Sequence, residues 1–162
     1  MGQKDKRRVV VTGIGVVSSI GIGKEDFWPR LISGTSGISK IESFDTSNYP
    51  SHFGGEIKNF QPERFVNKHK IKLLGRASLL SVAASRLAFE DARLSVDYVE
   101  RHGGSVCVGT TMGETQLMEE MDSTWVKDGH EQVRFLSIAS FIPAGKSVAI
   151  KLVYKLPGLR IT

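Results

Sequence analysis

The sequence has 162 residues, 40% of them hydrophobic and 24% charged, with a formal net charge of +5 and one cysteine. That is an ordinary globular composition with room for a real core, and no stretch approaches the roughly 18 uninterrupted apolar residues of a membrane helix. One cysteine excludes an internal disulfide framework and predicts a reducing, cytoplasmic setting.

Residues 1–7 read as a basic tail. They lack the apolar core of a secretory signal, and Lys6 stands where a myristoylation motif wants Ser or Thr. Arg8 to Thr12 is short, β-branched and stopped by Gly13, which predicts a buried strand of a parallel or mixed sheet. Gly13, Gly15, Gly21 and Gly23 make the next connection glycine-rich. Asp26 to Ser33 reads as a short helix that tolerates Pro29 only in its first turn. Thr35 to Phe60 is punctuated like a loop, with a short strand expected at Gly54–Ile57.

The clearest helix is Arg76 to Leu94. Ala77, Leu80, Ala84, Leu87, Ala88 and Ala92 recur at helical spacing, and the small residues predict close approach of another helix. Ser105 to Gly109 reads as a second buried strand, Thr115 to Trp125 as a helix, and Val148 to Lys155 as a further amphipathic segment. Strands alternate with helices, so the class is α/β. The basic excess comes from the tail and from Arg64, Lys68, His69, Lys70 and Lys72. It favours an acidic partner, the plain alternative being a solvated face.

Several motifs fail on their chemistry. Gly145-Lys146-Ser147 spells the end of a phosphate-cradling loop, but Ser140 stands where the first glycine belongs and Pro143 removes an amide. Gly13-x-Gly15 opens a dinucleotide fingerprint whose third glycine is replaced by Ser18. Cys107 lies between Val106 and Val108, where a cysteine behaves as a small buried hydrophobe rather than a nucleophile with His102 as base. Glu119, Glu120 and Asp122 read as a solvated helix face. The four histidines, at 52, 69, 102 and 130, show no metal-ligand spacing, so neither metal nor cofactor is expected.

The glycine placements fit another pattern. VVVTGIGVVSSIG, FWPRLISGTSGI, FDTSNYPSHFGGEIKNF, GRASLLSVAASRLAFEDARL, VCVGTTMGE and FIPAG follow one another from Val9 onward. In that order and spacing they resemble the start of the elongating β-ketoacyl-[acyl-carrier-protein] synthases. The resemblance implies a thiolase-like αβαβα sandwich, here an incomplete N-terminal half in residues 8–162 that stops before the nucleophile turn, and a homodimer. It also implies decarboxylative Claisen condensation of malonyl-carrier with an acyl thioester, in fatty-acid or polyketide synthesis. In that chemistry a cysteine at a helix N-terminus takes the acyl chain, because the helix end lowers the thiol pKa and its amides stabilise the oxyanion.

By the same resemblance Gly109, Thr111, Met112 and Gly113 belong to a glycine-rich turn beside the acyl pocket, with Met112 as its gate. Phe141 reaches the pocket across the dimer interface. Lys68, Lys70 and Lys72, with Arg134, meet the acidic acyl carrier protein; neither nucleic acid nor membrane insertion is implied. The plain alternative for Met112 and Phe141 is core packing. The family's nucleophile turn would fall beyond Thr162 and its two histidines later still, so no catalytic residue is expected within the chain, which alone should be inactive. Gly75-Arg76 replaces the Asp-Arg common in the family, implying a lost ion pair or cap. Two alternatives stay open: a non-catalytic subunit resembling a chain-length factor, and a short protein that binds an acidic partner.

Overall fold

The computed structural model describes residues 8–110, 113–129 and 160–161. In chain order these contain β1 (Val17–Ser18), β2 (Gly21–Ile22), α1 (Lys24–Ile32), β3 (Ser39–Lys40), β4 (Phe53–Gly54), α2 (Lys68–Ile71), α3 (Arg76–Ala92), α4 (Val96–His102), β5 (Ser105–Val106), α5 (Thr115–Asp128) and β6 (Arg160–Ile161). A 3₁₀ turn, Pro62–Arg64, precedes α2. β1–β2 and β3–β4 are antiparallel ribbons, while β5 and β6 pair in parallel with Ser105 opposite Arg160 and Val106 opposite Ile161. A parallel pair needs a long crossover, and the alternation of helix and strand expected from the sequence is what the described residues show.

α3 organises the rest. Ser78, Leu79, Val82 and Ala83 are its buried residues, and with Phe65 and Val66 the apolar ones form the core. Val17, Ile22, Phe60, Ile71, Leu74, Leu87, Val106 and Val108 pack against that core. Phe60 and Phe65 stack within it, their ring centroids 6.0 Å apart.

The alanine stripe lies on a different side of α3 from these core residues. It receives the Gly13–Gly15 connection. A Cβ on Gly13 would sit 2.6 Å from the Ala92 amide nitrogen, and one on Gly15 would sit 2.6 Å from that of Ala88 and closer still to the Ala84 carbonyl. Backbone therefore lies directly on backbone, which only glycine opposite alanine permits. These glycines serve helix packing, a use that accounts for them without any phosphate.

Other expectations are corrected. Residues 8–12 form no strand pairing among the described residues, and Val9, Val10 and Val11 are 95%, 66% and 81% exposed. A β-branched run becomes a strand only beside a hydrogen-bonding neighbour. α1 begins at Lys24, which puts Pro29 in its second turn. The helix continues past it, with Arg30 paired to Asp26 at 2.9 Å and the Ser33 amide on the Pro29 carbonyl at 3.0 Å. The strand expected at Gly54–Ile57 is the shorter β4. α2 and α4 were not expected; each opens on a capping side chain, Asn67 and Ser95, that accepts an amide of its own helix.

Candidate functional site

The basic segment is built on a short helix. Asn67 Oδ1 accepts the His69 amide at 3.1 Å and starts α2, which carries Lys68 and Lys70. Lys68, His69 and Lys72 are exposed, and Lys70 is half-buried. Just upstream the exposed Arg64 holds its guanidinium 5.7 Å from the centre of the Phe65 ring. The buried Phe65–Val66 pair anchors this segment to the core while Arg64, Lys68, His69 and Lys72 are exposed. Helical spacing puts Lys68 and Lys72 on one side of this segment and the half-buried Lys70 on another.

The glycine-rich turn begins where β5 ends. Val106 and Val108 are half-buried against the core, and Cys107 between them is exposed. The buried setting expected for Cys107 is therefore wrong: alternate residues of an extended segment face opposite ways, and only the valines face inward. Cys107 and Gly109 line a cleft of about 490 Å³ together with Thr12 and with Ser81, Ser85 and Phe89 of α3. Farther along, the Gly113 amide donates to Thr110 Oγ1 at 3.1 Å. Thr111, Met112, Arg134 and Phe141 lie outside the described residues.

Beside this turn stands a residue that the sequence did not single out. Glu114 is 4% exposed, and its carboxylate accepts the Ala77 amide at 3.0 Å and the Ser78 amide at 2.6 Å. These are amides of the first turn of α3, which has no intrahelical acceptors. Gly75, the N-cap of α3, contributes no side chain. The cap expected to be lost at Gly75 is therefore supplied from elsewhere in the chain. The glycine was the legible signal: a long helix opening on Gly-Arg must find its acceptor at a distance.

At the other end of α3, Asp91 accepts the Ile14 amide at 2.9 Å and pairs with the Lys24 ammonium. Lys24 first, and then the Ile14 amide, hold the Asp91 carboxyl below its usual range, and Asp91 in turn raises Lys24. Lys24, Asp91 and Gly13–Gly15 thus make one clamp on the C-terminal half of the helix.

Residues 6–162 match the family model "Beta-ketoacyl synthase, N-terminal domain". The chain is 33% identical over 129 residues to 3-oxoacyl-[acyl-carrier-protein] synthase 2 of Synechocystis, a match that covers 80% of this chain and 31% of that protein. Among solved structures, the ishigamide ketosynthase/chain length factor superposes with a TM-score of 0.87 at 32% identity, covering 96% of this chain and 39% of that one. A type II polyketide ketosynthase in complex with its acyl carrier protein shares the fold at a TM-score of 0.69 and 19% identity, over 97% of this chain and 41% of that one. The chain spans about a third of the length of the curated relative and somewhat more of the solved structures. The family model covers nearly the whole sequence, and the described residues have the α/β architecture of its solved members: the chain belongs to the β-ketoacyl synthases, as an N-terminal domain of that family.

Proposed function

We propose that these residues form the N-terminal part of a 3-oxoacyl-[acyl-carrier-protein] synthase, an acyltransferase that condenses malonyl-carrier with an acyl thioester. The observation that carries the reading is the continuous family match over residues 6–162. In the intact enzyme an acyl chain passes from its carrier to a cysteine thiol. Malonyl-carrier then loses CO₂, and the carbanion attacks the acyl thioester and releases the thiolate. The nucleophile and the histidines belong to other segments of such a subunit. The part played here is to build one wall of the acyl pocket and a landing surface for the carrier.

Gly109 and Gly113, with Thr111 and Met112, form the pocket turn, and Phe141 completes the pocket from the second copy of a homodimer. Residues 8–162 form the N-terminal part of a ketosynthase domain, behind the basic tail 1–7. The single cysteine supports a reducing, cytoplasmic setting; among the described residues no helix is long and apolar enough to cross a membrane. The test is to incubate the intact protein with malonyl-carrier and acyl-carrier and look for CO₂ and a 3-oxoacyl product. The match to a ketosynthase/chain length factor favours one second reading, a subunit that shapes a partner's pocket. That reading predicts no product from the protein alone and an altered product length when a ketosynthase partner is added.

The exposure of Lys68 and Lys72 supports carrier docking. Changing Lys68, Lys70 and Lys72 together to Glu should weaken carrier binding at low salt by roughly a hundredfold or more, chiefly through slower association. Equal affinity of variant and wild type in titrations at low ionic strength would remove this surface from the docking site.

A further inference from the structure

We propose that Glu114 is a positioning residue: it ties Gly113, and through it Thr110, to the N-terminus of α3, in a seat that Gly75 leaves open. That Gly109–Gly113 borders an acyl pocket rests on the function proposed above; the tie itself does not. Glu114 is the N-cap residue of α5, yet its side chain makes no capping hydrogen bond to α5. Only its carbonyl serves that helix, accepting the Met118 amide at 3.1 Å. The carboxylate instead crosses to α3, where Ala77 and Ser78 are the second and third residues, the two that an N-cap side chain ordinarily serves.

The seat is shaped for it. A Cβ on Gly75 would lie 2.5 Å from the Glu114 carboxyl carbon and 3.0 Å from Oε1, so any larger residue there evicts the carboxylate. Gly75 and Glu114 therefore work as one device. A buried charge ordinarily needs a cation, and among the described residues Glu114 has no ion pair. The positive end of the α3 dipole and its two amides take that place. Gly113 precedes Glu114 directly and donates to Thr110. Fixing Glu114 by side chain and backbone thus fixes where Thr110 and Gly113 stand against α3.

Hydrogen exchange on the intact protein separates this role from plain helix capping. The readout is the amides of Ala77 and Ser78 on one side, and of Gly109, Thr110 and Gly113 on the other. Glu114→Ala should speed both sets by at least about tenfold, the effect of losing charge-assisted bonds. Gly75→Asp in that background restores an ordinary N-cap, so Ala77 and Ser78 should regain protection while Gly109, Thr110 and Gly113 stay fast. Recovery of both sets together would reduce Glu114 to a cap and overturn the proposal. So would a turn that never changes.

Glu114→Gln keeps the shape and one acceptor, and it provides the comparison if the alanine variant does not fold. It should speed the turn amides by a smaller factor, and wild-type exchange at both sets would equally overturn the proposal. Where the wild type condenses, Glu114→Ala/Gly75→Asp should also shift product chain length while leaving carrier affinity unchanged. A wild type that neither condenses alone nor alters product length beside a ketosynthase partner would remove the pocket reading and leave the exchange result to decide the tie.

Discussion

The two ends of α3 are each held by a carboxylate from or to a distant part of the chain, and they are held in opposite ways. At the N-terminal end Glu114, 36 residues beyond Ser78, is buried on two amides. At the C-terminal end Asp91 reaches an amide 77 residues away, and its Lys24 partner keeps 56% of its side-chain surface in water. Sequence separation does not explain the contrast, because doubling a loop adds only about 0.6 kcal/mol of closure entropy. Burial does. Where water is excluded the carboxylate cannot be replaced; where water reaches, the backbone seat of Gly13 and Gly15 does the holding and the ion pair trims it.

The largest effect should come from Glu114→Ala, which orphans two amides, one of them on the 1%-exposed Ser78. A loss of about 2–5 kcal/mol is expected in denaturant titrations of the intact protein. A loss under roughly 1 kcal/mol would mean that water enters and the contrast in burial is false. Next is Gly15→Ala, which drives a methyl into the backbone of α3 at Ala84 and Ala88. It should cost about 1–3 kcal/mol, and a neutral result would show that the loop lifts away freely.

Smallest is Asp91→Asn, which keeps an acceptor for Ile14 and removes the charge. Its effect should be slight at low salt and vanish at high salt. The pH dependence has a definite sign. The Asp91 pKa is lowered in the fold, so its contribution is present above the unfolded value near 3.9 and fades as pH falls through the folded value. The difference between wild type and Asp91→Asn should therefore be flat around neutrality and shrink in acid below about pH 4. A difference as large as that of Glu114→Ala would dissolve the comparison.

What the sequence showed of this arrangement was its local half. The alanine period delimits α3 to within two residues of its observed end, and the glycine spacing marks the connection that lies on it. The partners of Asp91 and Glu114 lie too far along the chain for any periodic pattern to announce them. Val9–Val11 misled because β-branching encodes a preference for pairing and says nothing about where the neighbour is. Cys107 misled because two flanking valines look alike whether the middle residue faces the core or the cleft. At the site itself the exposed lysines were legible from charge alone. Glu114 was not, since its environment is made by a glycine far upstream.

The same geometry has an order in time. A chain emerges N-terminus first, so by the end of α3 everything its C-terminal clamp requires, Gly13–Gly15, Lys24 and Asp91, has already been made. Glu114 follows about twenty residues later, roughly one to five seconds at ordinary rates of synthesis. During that interval the helix can seat by its far end while its first amides remain open to water, and the residue that closes them arrives with the turn it positions.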